Sequence, residues 1–313
     1  MIEIKKVIRR SVKKLSHPIS CGLVLFLGFL VRKLSLKSAR KLAQKLGCVA
    51  YDHLKIRRRL VEKNLAMVFP GKKESEIRDT ARKVYQNQVL NIIELLRIPL
   101  IKNREDAREL VEIRPGCFFE KTRDQGKGAV LVSAHLGSWE MLGLCTGLLL
   151  TPVHVVVKPL KNSHLDYHLT SWRTMHGNKL IDKDKALREG LKVLRQGGVV
   201  GVLGDQSNRK GTHLIEFLGR ESTIFLGPAF LALKAGVPLF IETCKRLDNG
   251  KYLLEIVEIP TDDLNYSKED IKELTRRYSR ALEDFLRGNP EEWLWLHDRW
   301  KTAPRPAQPE TGN

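Results

Sequence analysis

Gly128-Ala-Val-Leu-Val-Ser-Ala-His135-Leu-Gly-Ser-Trp-Glu140 is the stretch on which the fold of this 313-residue chain turns. Residues 129–132 are apolar, two of them β-branched valines, which suits a buried strand through Ser133, and the polar His135 ends the run. Gly137-Ser138 is turn-prone, and the apolar 138–150 segment suggests a helix with Ser138 as its cap and Glu140 in its first turn. A strand feeding a helix through a short loop is half of a βαβ unit, and α/β proteins collect their chemistry at the carboxyl ends of such strands. If the loop folds back, Glu140 meets His135. Imidazole accepts protons near neutral pH, and an adjacent carboxylate fixes its tautomer and raises its basicity. On spacing alone, a polar strand exit followed by a helix-start glutamate is the stronger reading.

Outward from this stretch the pattern continues. Strands are expected at 153–157, 198–203, 238–243 and 251–259, with helices at 163–176, 184–196, 228–235 and 267–287 between and after them. Upstream, helices are expected at 39–46, 51–67 and 74–96, punctuated by Phe69-Pro70-Gly71. The fold class is therefore α/β, a mostly parallel central sheet flanked by helices and preceded by a helical region. Residues 36–302 read as one unit, with a helical part (36–112) and an α/β part (113–302). The Pro-rich polar tail 303–313 is expected to be disordered.

The charge is uneven. Residues 1–70 hold 17 Lys and Arg against three acids, so +14 of the formal +19 lies there and only +5 in the rest. Such an end suits an anionic partner, phospholipid or nucleic acid. The uncharged run 19–31 favours lipid, and the basic helices around Arg57-Arg-Arg59 lack the interleaved aromatics of a nucleic-acid surface. Thirteen residues of helix cover about 20 Å, short of the ~30 Å hydrocarbon core, so a full span must recruit its neighbours whereas a helix dipped into one leaflet need not. A signal peptide competes, but no small-x-small cleavage site follows. Residues 1–35 are thus expected to be a retained membrane anchor, with the rest on the cytoplasmic side.

The five cysteines are widely spaced without a C-x-x-C pair, as fits a reducing compartment. His164 and His168 lie four apart but have no third ligand in an evident motif. No metal and no cofactor is called for.

Five blocks carry a resemblance. His135-Leu-Gly-Ser-Trp-Glu140 resembles the H-x4-D/E signature of glycerolipid-type acyltransferases, in the form with Trp before Glu. Asn64-Leu-Ala-Met-Val-Phe-Pro70 comes before it. Val157-Lys-Pro-Leu-Lys-Asn162 with Asp166 and Arg173, then Gly204-Asp-Gln206 with Phe217-Leu-Gly219 and Gly227-Pro-Ala229, come after it, and Trp293-Leu-Trp-Leu-His-Asp-Arg-Trp-Lys301 closes the series. In this order they resemble the bacterial lipid A biosynthesis acyltransferases from about residue 19 to Lys301. Ser138 stands where that family often has Asn, and Lys158 where it often has Arg.

The resemblance implies transfer of a fatty acyl chain from acyl carrier protein to a hydroxyl of a phosphorylated glycolipid, a lipid A precursor; the runner-up among enzymes is a related glycolipid or phospholipid acyltransferase using acyl-CoA. The setting would be the cytoplasmic leaflet of a bacterial inner membrane. Such a reaction needs a base for the acceptor hydroxyl, which His135 would supply with Glu140 orienting it. An acyl-serine at Ser138 is the minor alternative to its capping role. Oxyanion donors would be backbone N–H groups, Arg173 or Lys158. Lys158, Arg173, Asp205, Gln206, Gly227 and Arg299 are the candidate substrate-binding residues. Asp205 equally suits a turn closing on its own backbone, and Arg173 a solvated helix face. Gly227-Pro-Ala229 reads mainly as a turn into a helix, and the tryptophans 293, 295 and 300 as core or interface anchors. A basic nucleic-acid-binding protein or a non-catalytic membrane scaffold remains as another class.

Overall fold

Residues 129–133 form strand β2 (Ala129–Ser133), with the bounds the sequence suggests and buried on both faces. It lies inside a seven-stranded sheet in the computed structural model, which describes residues 2–118, 120–207 and 213–301. Helices α1 (Ile2–Lys33), α2 (Leu36–Val49), α3 (Arg58–Val68), α4 (Glu74–Arg97) and α5 (Arg104–Leu110) come first, then β1 (Val111–Arg114). After β2 follow α6 (Trp139–Cys145), β3 (Val153–Val157), α7 (Ser163–Thr174), β4 (Lys179–Asp182), α8 (Ala186–Arg195) and β5 (Val199–Leu203). The hairpin β6 (Leu214–Phe217) and β7 (Arg220–Thr223) leads to α9 (Gly227–Ala235), β8 (Leu239–Arg246), β9 (Tyr252–Ile259) and α10 (Lys268–Gly288).

The sheet order is β1-β9-β8-β2-β5-β3-β4. Every neighbouring pair is parallel except β8 with β9, so the expected mostly parallel, helix-flanked α/β sheet is what forms. One face of β2, through Val130 and Val132, packs into the core that also holds Leu274, Tyr278, Leu282 and Leu286 of α10. The other face, through Ala129 and Leu131, meets Met141, Leu142, Leu144 and Cys145 of α6. Ser267 starts α10 by accepting a 3.0 Å bond from the Asp270 amide, leaving the helix's apolar stripe to the sheet.

Three elements depart from the sequence pattern. The helix expected at 51–67 breaks, because Lys55 and Arg57 take left-handed backbone (φ 51° and 57°) before α3 begins at Arg58. The helix expected at 138–150 ends at Cys145 and continues as a wider π-turn, Thr146–Leu150. β1, β4 and the β6–β7 hairpin are additional strands of four residues each.

The run 19–31 lies within α1. Cys21 and Val31 are buried, with Val24 and Val31 in a cluster with Ile93 and Leu96 of α4, and the Arg32 guanidinium donates to the Leu96 carbonyl at 2.9 Å. The opposite face leaves Ile19, Leu23, Phe26, Leu27 and Leu30 exposed. Among the described residues no helix is long and apolar enough to cross a membrane. The tail 303–313 lies outside the described residues.

Candidate active site

β2 and β5 are parallel neighbours with Ser133 opposite Leu203, and the Gly204 amide donates to the Ser133 carbonyl at 2.8 Å. Continued by two residues, that register brings His135 beside Asp205 at the carboxyl edge of the sheet. His135 Nδ1 lies 2.8 Å from Asp205 Oδ1, and the His135 amide donates to Oδ2 at 3.1 Å. Trp293 Nε1 donates to the same Oδ2 at 2.8 Å. Asp205 is 2% exposed and accepts all three. Burial by itself would raise the Asp205 pKa, but His135 and these donors outweigh it and hold the carboxyl down at about 2. Burial likewise works to lower the His135 pKa, and the Asp205 charge overcomes it, so the net direction is upward. With Nδ1 facing a carboxylate, the proton resides on Nδ1 and Nε2 is left as the basic nitrogen.

This corrects the expected partner of His135. Glu140, in the first turn of α6, turns to Arg173 of α7 instead, which reaches it through both Nε (2.9 Å) and Nη2. A fork-shaped guanidinium matches a carboxylate better than an imidazole does, and the one-turn offset from His135 leaves Glu140 free to take it. Arg173 is therefore not a solvated face. Asp205, in turn, does not close a turn on its own backbone but is the carboxylate that holds the imidazole.

Ser138 does not cap α6 with its side chain. It is buried and lies against Glu94 of α4, whose pKa it helps to lower. Glu94 belongs to a buried network in which Arg246 donates from Nε (3.0 Å) and Nη2 (2.6 Å) to Glu94 and from Nη1 (2.6 Å) to Glu292, with the Tyr252 hydroxyl on Glu94 at 2.7 Å. Burial alone would raise the Glu94 pKa, but Arg246 lowers it, so the pair stays charged. Removing one member of such a pair typically costs ~3–5 kcal/mol.

The loop 135–138 is clamped from the other side as well. The Leu294 amide donates to the His135 carbonyl and the Gly137 amide to the Glu292 carbonyl, each at 3.0 Å. At Gly137, φ is +53° and a Cβ would come within 2.0 Å of the Cys244 carbonyl oxygen, so only glycine fits there.

Below His135 a cavity of about 680 Å³ descends along the sheet. Leu131, Val153 and Val155 line its sheet side, and Leu142 and Trp172 its helix side, with Lys158, Arg173 and Gln206 among the polar lining. Gly201 of β5, whose Cβ would lie 2.9 Å from Val153 Cγ1, keeps that wall free of a side chain. The Gln206 amide nitrogen lies 3.3 Å from each His135 ring nitrogen, and the Trp139 ring stands edge-on to the imidazole at 5.5 Å.

Two expected substrate-binding residues lie elsewhere. Gly227 is buried at the start of α9 under the Phe225 ring, where a Cβ would be 2.0 Å from that ring. Arg299 is 0% exposed. Its Nη1 donates to the Thr223 carbonyl at 2.9 Å and to Ser222, the group lies over the Phe217 ring, and burial lowers its pKa to about 10. Trp293, read from the sequence as a core anchor, is one but also bonds Asp205.

A histidine whose Nε2 is not taken by the carboxylate, above a cavity with an apolar sheet wall and at the carboxyl edge of a parallel sheet, is the layout of an α/β enzyme with a hydrophobic substrate. The chain belongs to the bacterial lipid A biosynthesis acyltransferase family, whose sequence profile covers residues 9–302, and the protein is an acyltransferase. It is 26% identical to the lipid A biosynthesis lauroyltransferase of Escherichia coli K12 over 261 residues, 83% of this chain and 84% of that one. The palmitoleoyltransferase of the same organism is 23% identical over 266 residues, 84% of this chain and 85% of that one. A phosphatidylinositol mannoside acyltransferase of Mycobacterium tuberculosis is 23% identical over 212 residues, 66% of each chain. A crystal structure of a 1-acyl-sn-glycerophosphate acyltransferase from Thermotoga maritima aligns with 80% of this chain and all of that one at 15% identity, with a TM-score of 0.37.

Proposed function

We propose that the enzyme moves a fatty acyl group from the thioester of acyl carrier protein to a hydroxyl of a lipid A precursor at a membrane surface. The observation that carries this reading is the His135–Asp205 pair at the mouth of the apolar cavity. The acceptor hydroxyl gives its proton to Nε2 as its oxygen bonds the acyl carbon. The tetrahedral oxyanion then collapses, the C–S bond breaks, and the imidazolium returns the proton to the leaving thiolate. Asp205, rather than Glu140, orients the ring and stabilises the imidazolium. The acyl chain runs down the cavity past Leu131, Val153 and Val155. Lys158, exposed at the rim, and Arg173 on the wall face the anionic acceptor, and basic surface around the mouth suits an acidic carrier protein.

The exposed apolar face of α1, flanked by Arg32 and Lys33, supports a helix lying in the surface of an anionic leaflet rather than one spanning it. In a bacterium that surface is the cytoplasmic face of the inner membrane. The related reading, another glycolipid as acceptor, draws on the mycobacterial relative's name.

The test pairs purified enzyme with acyl carrier protein thioesters and lipid A precursor in anionic vesicles, followed by mass spectrometry of the lipid. A product heavier by one acyl group, lost in His135→Ala with folding intact, is expected. Full transfer by His135→Ala refutes the base assignment, and transfer to phosphatidylinositol mannoside alone refutes the acceptor. Serine at Leu23, Phe26 and Leu30 together should move the protein from the vesicle-bound to the soluble fraction; retention refutes the surface-helix reading.

A further inference from the structure

Helix α6 and the π-turn after it carry two glycines whose surroundings are opposite. The helix starts at the mouth of the cavity and runs down beside it, and Glu140, Gly143 and Gly147, three and four residues apart, share one helical face. Gly147 has no room for a side chain, because a Cβ there would lie 2.1 Å from Asn178 Oδ1. At Gly143 no side chain and no neighbouring element comes within 4 Å of the place a Cβ would take. Nor does its backbone need glycine, being helical rather than left-handed. In a helix interior glycine is less stable than alanine, so the protein's own packing gives no reason for Gly143.

The open space beside Gly143 is the cavity it lines. Asn178 closes the lower end: its amide nitrogen donates to the Gly143 carbonyl at 2.7 Å and its oxygen accepts from the Val153 amide at 2.9 Å. Both polar groups of that buried side chain are thus engaged, and they tie α6 to the start of β3. On the sheet side the lining runs from Val153 up to Val157, four steps or ~13 Å of strand. An extended alkyl chain advances ~1.25 Å per carbon, so about ten carbons reach from end to end. Gly143 lies ~4.5 Å beyond Glu140 along the helix, three or four carbons further in, where a long chain has to pass it.

We propose that Gly143 sets the bore of the acyl site: the side chain it lacks is what lets a long, unbranched chain pass its level and reach the floor at Asn178 and Val153. Gly143 is then a specificity-determining residue, kept at the expense of helix stability because the room belongs to the substrate. One methylene too many in an apolar slot changes discrimination by ~10–200-fold. A methyl group at 143 therefore acts on long chains first. A leucine acts more strongly, since helical side chains lean toward the helix amino terminus, here the mouth of the cavity.

This inference rests on the cavity being the acyl-chain site. Its test uses the full chain as wild type, Gly143→Ala and Gly143→Leu, with hexanoic and dodecanoic acid in calorimetry and the matching acyl carrier protein thioesters in transfer. Wild type is expected to favour the longer acid by ~10³-fold in Kd, roughly fourfold for each added methylene. Gly143→Ala should lower that preference ~10-fold and Gly143→Leu at least ~100-fold. Melting supplies a readout of opposite sign, because replacing a helical glycine should raise the Tm of Gly143→Ala by ~1–2 °C while its long-chain preference falls. A lower Tm with unchanged preference assigns the glycine to the π-turn that follows and overturns the proposal, as does a preference that survives both substitutions. Gly143→Ala carries the test by itself if Gly143→Leu does not fold. A length preference in binding that the substitutions reduce, without transfer to a lipid A precursor, refutes the proposed function and leaves the bore standing; a wild type that binds both acids equally, or neither, refutes the acyl site and the bore together.

Discussion

Asp205→Asn separates the geometry of the site from its proton arrangement. The native carboxylate accepts from the Trp293 indole and the His135 amide on Oδ2, and meets His135 Nδ1 with Oδ1. In the asparagine variant the carbonyl oxygen must stay under those two N–H donors, so the amide NH2 faces Nδ1. An NH2 can only donate, so Nδ1 becomes the acceptor and the ring proton moves to Nε2. The imidazole then sits where it did but presents N–H to the acceptor hydroxyl. The equivalent swap in a Ser-His-Asp triad lowers kcat by ~10⁴, or about 5 kcal/mol of barrier, and the same order is expected here. With the Asp205 charge gone, burial is opposed only by the more weakly acting Glu140 charge and the His135 pKa falls, so any residual activity should keep its acid limb at lower pH than wild type, whose limb lies above the ordinary histidine value of 6.5. Steady-state acyl transfer across pH 5 to 9, beside circular dichroism melts of both proteins, reads both effects. A variant that keeps wild-type kcat, or loses activity with the acid limb unmoved, refutes the assignment of Asp205.

Other perturbations follow from the same contacts. Trp293→Phe keeps a ring in the core but removes one bond to a charged acceptor, worth ~1.5–3 kcal/mol, so kcat should drop ~10–100-fold with little change in KM; an unchanged kcat reduces Trp293 to packing. Arg173→Ala leaves the Glu140 carboxylate unneutralised and removes a cation that depresses His135, so the acid limb should move to higher pH, opposite to Asp205→Asn, while the acceptor KM rises. A limb that moves down or stays put contradicts that electrostatic account. Glu242→Gln bears on stability. Its folded pKa of about 8 lies above the ordinary 4.5, so between those values the folded state holds a proton the unfolded state has lost, and stability falls as pH rises by roughly 1.4 kcal/mol per pH unit. The glutamine variant should lose that slope between pH 4.5 and 8, and melts that keep it place the ionisation elsewhere.

The central strand was legible because Ala129–Val132 is an apolar run with two valines, bounded by turn residues, and its parallel neighbours β5 and β8 read the same way. Strands β1, β4 and β6 are four residues each and mix polar with apolar positions, and β7 is four polar residues, so no run stands out. The break at 55–57 depends on Tyr85 of α4 bonding the Ile56 carbonyl, a tertiary contact that local propensity does not register. At the site, His135 was visible as a polar end to an apolar strand. Its carboxylate was not, because Asp205 lies 70 positions away and becomes adjacent only when β5 pairs with β2 in the observed register. Sequence proximity favoured Glu140, and helical position gave it to Arg173. Arg299 looked available because cations are seldom fully buried; here a serine hydroxyl, a backbone carbonyl and an aromatic face admit it. Glu242 had one visible signal, a lone acid inside the apolar Leu239–Phe240–Ile241 strand.

The clamp of residues 292–294 over 135–137 sets an order of assembly. The base emerges from the ribosome early, but the indole that steadies its carboxylate and the amide that fixes its carbonyl are made some 160 residues later. A growing chain that has reached β8 contains every strand that lines the cavity but not the clamp over the imidazole. The site is therefore completed only when the segment 292–294 has been made, and a product truncated before Trp293 lacks both the indole on Asp205 and the amide on the His135 carbonyl.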